Sequence, residues 1–325
     1  MLAISGKTIK MNKIKAFFKL TRWSNLLMIA IMMLLVYYCL MSPLFTSGIA
    51  SVMPSQPAFL LLLMSLIFIV AGGYVINDLF DVEIDRLNKP DKFIVTKIFT
   101  EKETKISYII LTTIGLAAGL ASSIMIEKSD FFTLFALLSL LVAILYSYSS
   151  TYKRKFFVGN LIVSLSVAFA VFLPWLFELL YLSNNLLVLS ASKELMMGIL
   201  PFVMIYTAFA FLMTLIREII KDVEDYKGDS VTHCRTLPIV LGIKKTKTIL
   251  YIMIAVLILI LFYYSFILFN LKLYVAFVMM SLIVVCSILL ITKILKADDK
   301  NDFHFLSSLS KIMMLIGILS MLFIR

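Results

Sequence analysis

Nine apolar stretches dominate this sequence, each close to the roughly 20 residues that an α-helix needs to cross a hydrocarbon core. They run approximately over 24–42, 57–77, 106–126, 131–149, 156–180, 197–217, 248–269, 272–292 and 306–324. Lipid offers no partner to a backbone N–H or C=O, so a stretch of this kind satisfies its polar groups internally by coiling into a helix. The composition agrees: 62% of residues are hydrophobic, 15% are charged, and the mean hydropathy is +1.04, far outside the soluble globular range. The expected fold is an all-α integral membrane protein, a bundle of nine transmembrane helices. No Pro/Gly/Ser-rich linker interrupts it, so 1–325 reads as a single transmembrane domain opened by a basic segment over 1–22.

The net charge of +11 raises the possibility of a nucleic-acid partner, and the distribution of the 30 basic residues answers it. With a cytoplasmic amino terminus, 26 of them fall in inside segments and four outside, at Lys128, Lys193, Lys272 and Arg325. This is the positive-inside rule, and with an odd number of spans it places the carboxyl terminus outside. The basicity therefore reads as topology at a cell membrane rather than as nucleic-acid binding. Cys39 and Cys286 lie inside spans and Cys234 in a cytoplasmic loop, which forms neither a disulfide framework nor a metal cluster. The apolar run after the basic amino terminus is too long for a signal peptide and lacks a small-residue cleavage site, so it reads as the first span. Met11 competes with Met1 as the start, since residues 1–10 show no periodicity.

The polar residues collect in two cytoplasmic segments, 78–105 and 217–247, each after an even-numbered span. The first opens with Asn77-Asp78-Leu79-Phe80-Asp81-Val82-Glu83-Ile84-Asp85. Asp78, Asp81 and Asp85 stand at i, i+3 and i+7, positions that share one face of a helix, so three carboxylates converge. A hard divalent cation relieves their repulsion, and Mg²⁺ favours one or two carboxylates together with water and phosphate oxygens. The second segment repeats the spacing in Asp222, Asp225 and Asp229, each 144 positions after its counterpart. Charges kept only for solubility give no reason for equal spacing at two span ends.

Six carboxylates and a diphosphate, offset by two Mg²⁺, leave a deficit of about −5, which basic side chains must supply. Arg86, Lys89 and Lys92 follow the first motif, Arg217 and Lys221 open the second, and Lys153 and Arg154 end span four on the same face. The apolar spans suit a long hydrophobic substrate whose diphosphate stays at the interface. His233 and His304 are cytoplasmic, stand apart from other ligands, and read as surface residues.

With both motifs in hand, the sequence resembles the UbiA superfamily of intramembrane prenyltransferases over essentially its whole length. Asn77-Asp78-x-x-Asp81-x-x-x-Asp85 is similar to that family's first motif and Asp222-x-x-Asp225-x-x-x-Asp229 to its second. Arg22 and Asn25, Asp85-Arg86-x-Asn88-Lys89-Pro90-Asp91-Lys92, Tyr146-Ser147 with Lys153-Arg154, and Gly159-Asn160 support the match. The resemblance implies Mg²⁺-dependent transfer of a prenyl group from a polyprenyl diphosphate. All six Asp residues would act as metal ligands, and Asn77, Arg22 and Asn25 would join the basic residues in binding diphosphate and acceptor. Arg217-Glu218-Ile219-Ile220-Lys221-Asp222, with Gly228-Asp229 and Thr236-Leu237-Pro238, looks most like the branch that prenylates geranylgeranylglyceryl phosphate, which implies a lipid-like acceptor and ether-lipid synthesis. Two departures stand out: Trp23 follows the Arg where Pro is common, and Lys92-Phe93-Ile94-Val95-Thr96-Lys97 replaces an Arg-Pro-Ile-Pro-Ser-Gly run.

Three other readings compete. An aromatic acceptor, as in quinone biosynthesis, needs the same two motifs. A CDP-alcohol phosphotransferase also clusters Asp at a membrane face, but its Asp-Gly-x-x-Ala-Arg signature is absent. A transporter would place ionisable residues near mid-span, whereas here the acidic residue placed within a span is Glu178, near an outer end.

Overall fold

A computed structural model of the chain describes residues 13–47, 55–83, 86, 94–126, 131–231 and 234–324. Among them, nine helices are long and apolar enough to cross a membrane, and no β-strand forms. They are α1 (Trp23–Leu35), α2 (Ser55–Phe80), α3 (Glu101–Ile126), α4 (Phe131–Ser150), α5 (Val158–Ser183), α6 (Leu186–Glu224), α7 (Ile243–Asn270), α8 (Tyr274–Lys296) and α9 (Lys300–Ser320). Each answers to one apolar stretch of the sequence. The first span continues past α1 through a π-helical turn, Val36–Leu40.

Several helices run further than their apolar stretches. Most conspicuously, α6 begins at Leu186, 11 residues before the expected 197, and is 39 residues long. Asn185 caps it, its side-chain oxygen accepting from Leu187 N at 3.2 Å and Val188 N at 3.3 Å. That side chain satisfies donors which the first turn of a helix leaves unpaired, so the helix can start before the apolar stretch and run on through Ser190, Ser192, Lys193 and Glu194.

The residues group into two compact units, Met1–Ala30 with Gln56–Lys153, and Ile31–Ser55 with Arg154–Arg325. In the first unit, small residues let α2 lie close to its neighbours, the usual device where lipid removes the hydrophobic drive between helices. A Cβ at Gly72 would come within 2.7 Å of Thr112 Oγ1, and one at Gly115 within 3.0 Å of Ile69 N and 3.1 Å of Ser65 O. Ser122 Oγ donates to Ala58 O at 2.7 Å, joining α3 to the start of α2. Ala16, Leu20, Ala71, Val75, Val95 and Leu111 form a buried cluster beneath the end of α2 that carries the first Asp motif.

In the second unit α5 and α6 pack as an antiparallel pair, and α6 also packs against α7 and α9. Tyr206 of α6 lies 5.8 Å from the Tyr264 ring of α7 and shares a 2.6 Å hydrogen bond with Ser320 of α9. The π-helical turn packs on α5 and α6, and Tyr37 within it hydrogen-bonds to Ser55. Glu178 of α5 is fully buried here, and neither carboxylate oxygen has a partner at hydrogen-bond geometry among the described residues.

Candidate active site

The first motif begins in the last turn of α2, with Asn77 and Asp78 inside the helix and Asp81 just past it. Its apolar neighbours Val75 and Ile76 are buried and hold that end in place, while Asp81 N still donates to Asn77 O at 3.0 Å, carrying the helical hydrogen bonding one residue past Phe80. Both described carboxylates of the motif meet a cation. Arg22 Nη2 donates to Asp78 Oδ1 at 2.9 Å, and its guanidinium lies 4.8 Å from the Tyr74 ring centroid. Lys153 forms an ion pair with Asp81 Oδ2, which also accepts from Asn77 Nδ2 at 2.8 Å. Asn25 Nδ2 donates to the Tyr74 hydroxyl at 3.4 Å.

Arg22 adopts φ 51°, a left-handed conformation uncommon outside glycine, which the surrounding contacts must hold. Burial works against the charged form of Arg22, but Asp78, Tyr74 and Tyr148 together outweigh it and the guanidinium is held above its ordinary pKa. Lys153 behaves alike: burial opposes its charge, Asp81 and Tyr148 together more than compensate, and the pKa is raised, with Arg22 pulling the other way.

The second motif differs. Asp222 lies in the last turn of α6 and accepts from Asn160 Nδ2 of α5 at 2.8 Å. Asp225 ends the helix, its N–H donating to Lys221 O at 2.8 Å, and its Oδ1 is buried without a hydrogen-bond partner among the described residues. The chain then restarts as a short helix, Tyr226–Val231, so the three carboxylates do not share one straight helical face as the spacing alone suggests. Asp229 N donates to Asp225 O at 3.1 Å, which preserves the turn across the break. The basic residues that open this motif donate to Glu218: Arg217 Nη1 and Lys221 Nζ both reach its Oε1, at 3.0 and 3.1 Å.

Other expected residues are placed as follows. Arg86 is exposed and donates to Thr96 Oγ1 at 3.3 Å. Arg154 is partly exposed, and its backbone carbonyl accepts from Arg235 N at 3.0 Å. Asp85, Lys89, Lys92 and His233 lie outside the described residues. His304 is exposed as a surface residue should be, but its Nδ1 lies 2.9 Å from Glu224 Oε1. Sequence reasoning did not give Tyr74, Glu218 or the role of Asn160, although Asn160 belonged to a recognised motif.

Among the described residues, no three His, Cys, Asp or Glu side chains already form a metal cluster. The donor chemistry nonetheless suits Mg²⁺: Asp222 and Asp225 offer only oxygen, and the buried, unpartnered Asp225 Oδ1 is an acceptor awaiting a positive ligand.

A model of the UbiA prenyltransferase family matches residues 39–309. The chain belongs to that family. It is therefore a multi-pass membrane prenyltransferase, and both Asp motifs fall inside the matched range, whereas Arg22 and Asn25 precede it. Digeranylgeranylglyceryl phosphate synthase of Saccharolobus solfataricus is 35% identical over 59% of this chain and 60% of that protein. The enzyme of the same name from Sulfurisphaera tokodaii is 30% identical over 85% of this chain and 88% of that protein. A solved structure concerning digeranylgeranylglyceryl phosphate synthase in membranes superposes with a TM-score of 0.59 at 25% identity, covering 96% of this chain and 98% of that one. A UbiA homolog from Archaeoglobus fulgidus, bound to DMAPP and Mg²⁺, shares the fold with a TM-score of 0.55 at 17% identity, over 94% of this prenyltransferase and 98% of that chain.

Proposed function

We propose that this prenyltransferase moves a geranylgeranyl group from its diphosphate to the glycerol hydroxyl of geranylgeranylglyceryl phosphate, at the cytoplasmic face of the cell membrane. The observation that carries the metal side of this reading is the repeated Asp spacing, together with the unpartnered Asp225 oxygen in its second copy. The acceptor rests on the residues flanking the second motif and on relatives named for digeranylgeranylglyceryl phosphate synthesis. The 26 to 4 split of basic residues supports a cytoplasmic amino terminus and an external carboxyl terminus.

In this reading Asp78, Asp81, Asp85, Asp222, Asp225 and Asp229 hold Mg²⁺, which when bound neutralises the diphosphate and makes it a better leaving group. Arg22 and Lys153 bind the diphosphate oxygens. They stabilise the charge that gathers there as the bond between the allylic carbon and oxygen breaks. Asn160 orients Asp222, and Glu218 holds Arg217 and Lys221 at the head of the second motif. The acceptor oxygen then bonds to the allylic carbon and releases its proton, for which no side chain is assigned as base.

Purified protein in detergent should prenylate geranylgeranylglyceryl phosphate with geranylgeranyl diphosphate and Mg²⁺, and Asp222→Ala should abolish turnover without unfolding the helices. Efficient prenylation of hydroxybenzoate or a naphthoate, with the glycerol phosphate ignored at every Mg²⁺ concentration, would replace this reading with the aromatic one.

A further inference from the structure

The two Asp motifs share a spacing but not an electrostatic state. In the first, Asp78 is neutralised by Arg22 and Asp81 by Lys153, with Asn77 binding both Asp81 and, through Oδ1, Lys153 Nζ at 3.4 Å. In the second, Asp222 accepts from the neutral Asn160 amide and Asp225 Oδ1 from no donor, and among the described residues neither carboxylate forms an ion pair. Exposure sharpens the contrast. The cations of the first motif are the accessible partners, Arg22 at 38% and Lys153 at 31%, whereas Asp78 and Asp81 sit behind them at 17% and 5%. A free divalent cation approaching this end of α2 meets guanidinium and ammonium first and is repelled. A diphosphate meets the same groups and is attracted, and Arg or Lys binds phosphate oxygens at least as well as carboxylate.

We infer that the first motif is a counter-ion exchange device: diphosphate draws Arg22 and Lys153 off Asp78 and Asp81, and only then do those carboxylates become metal ligands. The second motif, whose Asp222 and Asp225 hold no cation to displace, takes metal before substrate. This inference rests on the Mg²⁺–diphosphate reading above and adds an order of events to it. Arg22 combines a left-handed backbone with a side chain that remains partly exposed while paired to Asp78, so an incoming anion can reach it. Because binding couplings are reciprocal, the factor by which diphosphate tightens the later metal must equal the factor by which that metal tightens diphosphate.

The test is equilibrium dialysis of the full-length protein in detergent against Mn²⁺ as a countable substitute for Mg²⁺, with inorganic pyrophosphate as the probe. Bound metal is counted above that carried by free pyrophosphate. The wild type should take up one metal without pyrophosphate and a further one with it, the later affinity rising about tenfold or more. Asp222→Asn should remove the early metal, and Asp81→Asn the late one. Arg22→Gln with Lys153→Gln should admit the late metal in the absence of pyrophosphate, because the carboxylates then lack their internal partners. Should that variant fail to fold, the single replacement decides: Lys153→Gln alone should let metal bind at Asp81 without pyrophosphate, and late-metal uptake that still requires pyrophosphate in that variant overturns the exchange. Equal filling of both motifs without pyrophosphate overturns the exchange while leaving the metal reading intact. Absence of bound metal with and without pyrophosphate overturns both.

Discussion

Asn160 reaches Asp222 across 62 positions of sequence and gives its Oδ2 a single, well-placed donor. Groups that orient a metal-binding side chain matter nearly as much as the ligand, and their loss costs about 10- to 100-fold. Asn160→Ala should accordingly slow turnover by about that factor and raise the Mg²⁺ concentration for half-maximal rate, with helical circular dichroism unchanged. Unaltered kinetics in that variant would mean that Asp222 needs no orienting partner. The six Asp residues were legible in the sequence as a repeated spacing, although the second motif turns at Asp225 instead of keeping one helical face. Their partners were not. The charge pattern put Lys153 on the same side of the spans as the Asp motifs, but nothing in the sequence could say that it pairs with Asp81 rather than waiting for an acceptor. Glu218 was likewise invisible as the group that binds Arg217 and Lys221, because a neighbouring carboxylate in sequence reads as one more charge on a polar turn.

At the scale of single helices, apolar length predicted each span, and the ends were decided by chemistry that hydropathy does not weigh. α6 extends over Ser190, Ser192, Lys193 and Glu194 because Asn185 caps its first turn, giving a rod about 58 Å long. At its other end Asp225 stops the helix one turn before Asp229, which a face drawn on an ideal helix misses. Glycines within these helices divide by what surrounds them. Replacing helical glycine by alanine ordinarily favours the helix by about 1 kcal/mol. A methyl group added at Gly198 of α6 would find nothing within 4 Å, so Gly198→Ala should raise the unfolding temperature in detergent or leave it unchanged. At Gly115 the same methyl meets the backbone of α2 at 3.0 Å, and Gly115→Ala should lower it, by the equivalent of about 1–3 kcal/mol. Scanning fluorimetry of the two variants side by side checks the difference in sign.

For the whole molecule, nine spans and one family could be reached from residues alone, since lipid leaves a chain so few ways to satisfy its backbone. The grouping into two units left no such trace. Its limits fall inside α1, between Ala30 and Ile31, beside the first residue of α2, and between Lys153 and Arg154 in the helical turn that joins α4 to α5. One consequence concerns how this protein tolerates being cut. Severing the chain after Lys153 would not yield two self-sufficient pieces, because the leading fragment would carry away Ile31–Ser55, whose Tyr37 turn belongs with α5 and α6. Fragment 154–325 made alone should therefore be digested by protease faster than the same region in the intact protein. Made together with 1–153, it should regain protection and bring the other fragment through purification. Equal resistance with and without the leading piece would show that the borrowed segment is dispensable. Otherwise, that early segment must be held in reserve during synthesis until the ribosome has delivered the helices it completes.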